Sequence, residues 1–243
     1  MRTISQEELS EILEKHKKWL NDKEGGKQAD LSRAYLQNVN LRYADLRYAN
    51  LSGSDLQKAN LQFADLSDAD LSDADLIYAN LSSSDLQSAD LSDADLSDAN
   101  LQGAKLRYAN LQGAELSNAD LSATNFKYAN LQNSFLQKAN LRNVNLYDAN
   151  LRNVQRPGLV YVGSIGSRQS ETLYFADYDS VRCGCWNDYR GGSLAEFKAR
   201  VDEVYPANDE KYFTYRAEYV SAIKMFETMR HAYIEKKGVK KNE

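Results

Sequence analysis

Leucine occupies every fifth position from Leu31 to Leu151, with Phe126 as the one exception. Two residues before each of these positions stands a small residue, mostly alanine as at Ala64, and the residue between them is mostly Asp or Asn. A five-residue period matches neither the α-helix, at about 3.6 residues per turn, nor the strand, at about two. It predicts short extended pieces joined by corners, with the small residue and the leucine facing inward together.

The repeated unit A-[D/N]-L-x-x resembles the pentapeptide repeat family over residues 29–155. The resemblance implies a mainly β fold, a right-handed quadrilateral β-helix with four repeats per coil and a period of 20 residues. The 25 repeat positions then give just over six coils, about 30 Å long at about 4.8 Å per coil. The leucines and small residues should fill the cross-section, leaving neither a channel nor a ligand cavity, which weighs against an enzyme.

The residues before the repeats, 1–28, predict a helix that covers the first coil. Ser5 and Glu8 have the spacing of a capping box, and Gly25-Gly26 would end the helix, giving a range of 5–24. A partner-binding helix is the alternative. The residues expected on its apolar face are Leu9, Ile12, Leu13, His16 and Leu20.

Residues 156–243 lack the period and predict a small α+β domain with short strands and two helices. The expected strands are 159–162, 172–175 and 181–186. Ser193, with Glu196 three residues later, starts a helix that runs to Val204. The region resembles a module found beside other bacterial and phage-type sequences, a likeness carried by its IGSR and CGC stretches.

The second C-terminal helix is expected over residues 209–236, with apolar residues spaced alternately three and four apart. This spacing could serve a homodimeric coiled coil, but Val220 and Ile223 widen the stripe and favour packing within the domain. The stripe comprises Tyr212, Tyr215, Tyr219, Ala222, Phe226, Met229 and Tyr233.

Composition narrows the function classes. The net charge of −5 disfavours a general nucleic-acid binder, and no run of 18 apolar residues suggests a membrane span. The first residues have no apolar leader segment, so we expect a cytoplasmic protein. Cys183 and Cys185 share one face of a predicted strand and are expected to be structural rather than metal-binding or redox-active. No catalytic set stands out, and neither a metal nor another cofactor is expected.

Charge along the repeats is uneven, since no Lys or Arg lies between Lys58 and Lys105. With 20 residues per coil, carboxylates should stack in ladders, and ten aspartates in this stretch should be spread around the four faces. Like charges so close repel one another, which suggests a counter-ion, a basic partner or a role in solubility. The predicted acidic interaction band comprises Asp55, Asp65, Asp68, Asp70, Asp73, Asp75, Asp85, Asp90, Asp93, Asp95, Asp98 and Glu115.

A cationic and aromatic face is predicted in another column of the solenoid. Its residues are Arg47, Tyr48, Arg107, Tyr108, Lys127 and Tyr128. The favoured interpretation is a non-enzymatic scaffold that binds an unidentified protein partner on its outer faces. An alternative is a DNA mimic, because some proteins of the family this sequence resembles bind DNA gyrase and protect it from quinolones. A weaker alternative is divalent cation binding along the carboxylate ladders.

Overall fold

The structure, a computed structural model, describes residues 1–155, 159–165, 170–175, 180–183, 192–207 and 213–237. The chain divides into two compact units, Met1–Arg156 and Pro157–Glu243. The first contains the predicted N-terminal helix together with all of the repeats.

The repeats of the first unit form a four-sided parallel solenoid. Each Asp/Asn position forms a parallel bridge with the residue 20 positions later, from Asp30↔Asn50 to Phe135↔Gln155. A period of 20 residues is four repeats, so every repeat makes one side of the coil. We number the coils from coil 1 (30–49) to coil 6 (130–149), and the faces by their central columns. Face 1 is centred on 50, 70 and 90; face 2 on 55, 75 and 95; face 3 on 60, 80 and 100; and face 4 on 65, 85 and 105.

The repeat satisfies each of its five backbone N–H groups. Three donate to neighbouring coils, one closes the turn from the small residue to the preceding leucine, and the fifth donates to the Asp or Asn side chain. This last bond explains why Asp or Asn recurs, since either supplies the same oxygen acceptor. In repeat 64–68 the five bonds are Ala64 N to Leu61 O, Asp65 N to Ala44 O, Leu66 N to Asp85 O, Asp68 N to Gln87 O, and Ser67 N to Asp65 Oδ1.

The corners of the solenoid have a left-handed backbone. In every repeat the second residue after the leucine has a positive φ, between 50° and 72°. A positive φ at the third position of a β-turn is typical of type II turns, where glycine is favoured. Here glycine occurs at three corners, Gly53, Gly103 and Gly113, and all the others carry side chains.

The interior is a closed aliphatic stem. The leucines and alanines of the repeats are almost all buried, most of them completely, and Phe126 fits in one leucine position. Hydroxyl groups at a few inner positions are paired: Ser54 and Ser84, for example, donate to the leucine carbonyl three residues before them at 2.6 and 2.7 Å. The interior polar groups are therefore hydrogen-bonded within the packed stem.

The N-terminal helix, α1, runs over Gln6–Trp19, with Ser5 accepting the Glu8 backbone N–H at 3.1 Å. Leu9 and His16 are buried, and Ile12, Leu13 and Leu20 are half-buried. The predicted end at residue 24 was wrong, because the chain turns back after Trp19. A Cβ on Gly26 would lie 2.5 Å from the Trp19 backbone nitrogen, so this glycine serves the close return of the chain.

A short strand that the sequence gave no sign of precedes the helix. Strand β1, Arg2–Thr3, pairs in parallel with β2, Ala34–Tyr35, so the first residues of the chain cover part of the open edge of coil 1.

The second unit contains a three-stranded antiparallel sheet of β3 (Leu159–Ile165), β4 (Ser170–Phe175) and β5 (Ser180–Cys183), in that order. Helix α2 spans Leu194–Val204 and helix α3 spans Phe213–Lys237. The predicted capping box of Ser193 and Glu196 is present in both directions. The core of this unit comprises Tyr174, Leu194, Phe197, Val201, Tyr205, Tyr219, Ala222, Ile223 and Phe226.

This core uses the apolar stripe of α3. Tyr219, Ala222 and Phe226 are buried inside the unit, so the stripe is not free to form a coiled-coil homodimer, and packing within the domain is the correct interpretation. Met229 is partly exposed, whereas Tyr212 lies outside the described residues.

Candidate functional site

The predicted acidic band divides into two kinds of carboxylate. Those at the Asp/Asn position lie half-buried on the flat faces, where one oxygen accepts the N–H two residues ahead, as Asp70 does from Ser72 at 3.0 Å. Those at the corners, Asp68, Asp73, Asp93 and Asp98, are exposed. The flat-face group shapes the backbone, and an asparagine performs the same task on neighbouring coils, as Asn80 does for Ser82.

The ladder on face 2 is in the expected register: Asp55, Asp75, Asp95 and Glu115 pair consecutively. Asp55, however, is 9% exposed and is held by Gln37 and Gln57, so it offers little to a partner. Asp75 likewise accepts from Gln57 at 2.6 Å. Ile77 takes the place of this glutamine one coil later, above Asp95.

The carboxylates are not spread around four faces as the sequence analysis expected. Six of them lie on faces 1 and 2 and on the corner between those faces, within coils 3 and 4. We call this group the acidic corner; it comprises Asp70, Asp73, Asp75, Asp90, Asp93 and Asp95. Asp65, Asp68 and Asp85 belong to face 4 and its edge, and Asp98 lies at the corner between faces 2 and 3.

The acidic corner has a continuous surface. A Cβ built on Gly113 would lie 2.1 Å from an Asp93 carboxylate oxygen, so that carboxylate rests over the glycine corner of the next coil. Asp90 accepts from the Asn110 amide at 3.0 Å, and Asn130 and Asn150 extend this amide ladder along face 1. The acidic corner therefore ends on a neutral amide surface.

The predicted cationic and aromatic residues share one column, at the edge of face 4, but form two clusters. Tyr108 and Tyr128 stack with centroids 5.0 Å apart, and Arg107 and Lys127 lie over these rings. Tyr147, which the sequence analysis missed, extends this cluster: Lys127 Nζ lies 4.3 Å from its centroid.

Arg47 and Tyr48 form the other cluster, separated from the first by coils 2 and 3. Arg47 makes two 2.8 Å bonds to Asp45, which lowers the pKa of that carboxyl group, and Tyr48 packs edge-on against Trp19. These two residues belong to the contact with the N-terminal helix.

The described residues give the cation interpretation no ligand set, because they bring no three His, Cys, Asp or Glu side chains together at metal-binding distance. Cys185 lies outside the described residues, as do Gly166 and Ser167 of the IGSR stretch. Among the helices that the structure describes, none combines the length and apolarity needed to cross a membrane.

The four-sided coil and its hydrogen bonds define the class: a parallel β-solenoid built from five-residue repeats. A sequence model of pentapeptide repeats matches eight copies, over residues 27–57, 54–93, 94–127 and 119–155. The chain belongs to the pentapeptide repeat family, and the predicted right-handed quadrilateral β-helix with a C-terminal α+β domain is confirmed. Comparison with curated proteins gives no significant match.

Several solved structures are similar to the solenoid. A pentapeptide repeat protein from the Arabidopsis thaliana thylakoid lumen is 32% identical with a TM-score of 0.38, covering 39% of this chain and 66% of its own. HetL, involved in heterocyst differentiation regulation in a Nostoc cyanobacterium, is 34% identical with a TM-score of 0.23, covering 54% and 72%. QnrB1, a plasmid-mediated fluoroquinolone resistance protein, is 24% identical with a TM-score of 0.27, covering 55% and 70%. This chain thus spans less than two thirds of the Arabidopsis protein.

Proposed function

We propose that the protein is a non-enzymatic scaffold whose acidic corner binds a basic segment of a protein partner. The observation that carries this proposal is the clustering of six carboxylates on two adjoining faces within two coils. Members of the pentapeptide repeat family are generally structural or interaction proteins rather than enzymes. The packed stem leaves the outer faces as the surface on which the solenoid can bind.

The turn hydrogen bonds alone do not account for the charge of the acidic corner. Asn50 accepts the same bond from Ser52 that Asp70 accepts from Ser72, both at 3.0 Å. Aspartate in place of asparagine therefore adds only charge and repulsion between neighbouring coils. The corner positions Asp73 and Asp93 add exposed carboxylates in the same place. A partner with several Lys or Arg residues would relieve this repulsion on binding.

The experiment compares variants that lose the same charge in different places. Asp70, Asp73, Asp90 and Asp93 change to asparagine in one variant, which keeps the turn bonds. Four acids outside the corner, Asp45, Asp65, Asp85 and Asp120, change to asparagine in the control. Fluorescence anisotropy measures the affinity of the full chain for a labelled lysine- and arginine-rich peptide at several salt concentrations.

We expect the corner variant to lose at least about tenfold in affinity, and the control to stay within about threefold of the unchanged protein. Equal losses in both variants would show that the peptide responds to net charge alone, and would overturn the proposal.

A second candidate is binding of a type II topoisomerase by mimicry of DNA, and the charge density of the acidic corner favours it. Six carboxylates over two coils, about 10 Å of axis, amount to one charge per about 1.6 Å, close to the value of about 1.7 Å for duplex DNA. A DNA gyrase supercoiling assay tests this candidate. It requires inhibition, or protection from quinolones, that the corner variant lacks; no effect of the unchanged protein at micromolar concentration would exclude it.

A further inference from the structure

We propose that face 4 binds face 4 of a second copy of this chain, with the two solenoids antiparallel. The proposal goes beyond the scaffold function and does not depend on the acidic corner, which lies on the opposite side of the coil. Its twofold axis would cross face 4 between coils 3 and 4. Coil 1 of one copy then meets coil 6 of the other, coil 2 meets coil 5, and coil 3 meets coil 4.

The charges of face 4 match in this arrangement. Lys105 lies below Asp85 on the next coil, with Nζ 2.9 Å from the carboxylate, and this exposed pair straddles the proposed axis. The twofold rotation places Asp85 opposite Lys105 of the second copy, and Lys105 opposite its Asp85. The two pairs would form a ring of four alternating charges. Further from the axis, Asp65 and Asp68 of coil 2 face the coil that carries Lys127.

The ends of the face match as well. Coil 1 carries Arg47 at the edge of face 4, and coil 6 carries Asp148 at the adjacent corner position. The antiparallel arrangement brings these coils together, so each Arg47 approaches Asp148 of the other copy. Tyr48 and Tyr147 occupy the same two coils and add aromatic area to the contact.

Bulk also alternates along the other edge of face 4. Tyr43 and Phe63 stack there with centroids 5.1 Å apart, although they are 63% and 41% exposed. The same corner of the later coils carries small side chains, Gly103 and Ala123. The twofold rotation sets Phe63 opposite Ala123 of the second copy, so the projecting rings of each copy meet the low part of the other.

The alternative registers of face 4 are unfavourable. In a parallel pair each residue lies opposite its own column on the same coil, so Asp85 meets Asp85 and Lys105 meets Lys105. A twofold axis through coil 3 places the two Asp85 carboxylates together, and an axis through coil 4 places the two Lys105 ammonium groups together. An axis between coils 2 and 3 sets Asp65 against Asp85. Like charges directly opposite destabilise such contacts, so the charges select the proposed register.

The area predicts a weak dimer. Six coils at about 4.8 Å and one side of five residues at about 3.3 Å give at most about 29 by 17 Å, on the order of 500 Å² per copy. The total, about 1,000 Å², lies at the lower end of specific interfaces, so we expect association in the micromolar range.

Sedimentation velocity of the full chain over a concentration series tests the proposal, using Asp85→Lys and Lys105→Glu separately and mixed. Each variant alone places four like charges around the axis and should weaken dimerisation at least about tenfold. An equimolar mixture restores opposite charges in the heterodimer and should dimerise as the unchanged protein does. Thermal unfolding of each variant checks that the solenoid remains folded.

A second pair of variants tests shape. Ala123→Arg fills the low part of face 4 and should abolish the dimer, whereas Asn118→Arg, at a corner away from face 4, should not. A monomer at all concentrations would overturn the proposal. So would a dimer that ignores these changes, or a mixture of the two charge variants that stays monomeric.

Discussion

The turn-forming role of the repeat aspartates leads to a sharp prediction at Asp70. Its Oδ1 accepts the Ser72 backbone N–H at 3.0 Å and the Ser72 hydroxyl at 2.6 Å. Asp70→Ala removes both acceptors. At about 1 kcal/mol per hydrogen bond, and with Ser72 half-buried so that water can partly replace them, the loss should be about 1–2 kcal/mol.

Two asparagine variants are the controls. Asp70→Asn keeps the acceptor and removes the repulsion from Asp90 on the next coil, so its free energy of unfolding should change by less than about 0.5 kcal/mol. Asp73→Asn removes the same charge at an exposed corner and should be equally neutral. Urea unfolding of the solenoid, followed by circular dichroism, measures all three. If Asp70→Asn were as destabilising as Asp70→Ala, the charge rather than the turn bond would be the important feature, and the reasoning would be refuted.

Three further predictions concern the stem, the corners and the cap. Leu86→Ala should cost about 3–5 kcal/mol, because Leu86 is completely buried at mid-solenoid; urea unfolding that shows a loss under about 1 kcal/mol would contradict close packing. Gly103→Ala should destabilise and Ala123→Gly should stabilise, each by up to about 1 kcal/mol, because both residues have a positive φ; shifts of the same sign in thermal unfolding would contradict this account. Burial lowers the pKa of His16, which accepts the Ala29 N–H at Nδ1 (3.0 Å), so the folded state resists a proton that the unfolded chain takes up near its ordinary value of 6.5. Stability should therefore fall as the pH drops from about 7 to about 5, and His16→Leu should flatten this slope; an unchanged slope would exclude His16 as its origin.

The sequence was sufficient for features fixed by the repeat itself. A strict five-residue period allowed the 20-residue stacking, the buried leucine column and the face 2 ladder to be predicted, because a solenoid in constant register gives each position one neighbour per coil. Ser193 and Glu196 likewise predicted the start of α2, since their hydrogen bonds lie within four residues.

Features that depend on backbone geometry were missed. Nothing in residues such as Tyr78 or Lys58 indicates the left-handed φ at every corner, because the neighbouring coils hold the backbone there regardless of side chain. Strand β1 has two residues and no pattern of its own. Helix α1 ends at Trp19 because the return of the chain, rather than Gly25, determines the last turn.

The acidic corner was missed for a related reason. The ladders were predicted from the Asp/Asn position alone, whereas Asp73 and Asp93 occupy the corner position of the repeat. Once the corner column is placed between faces 1 and 2, those two residues join Asp70, Asp90 and Asp95 in one patch. The splitting of the cationic column depended likewise on what lies between its members, since Ser67 and Gln87 separate Arg47 from Arg107.

The central claim is that the stem is occupied by its own packing and that the acidic corner is the binding surface. Carbodiimide cross-linking of the full chain to a lysine-rich peptide, with the linked carboxylates mapped by mass spectrometry, tests it most directly. The account predicts that cross-links concentrate at Asp73 and Asp93, the exposed members of the corner. Cross-links spread evenly over the exposed acids, or concentrated in residues 157–243, would contradict it.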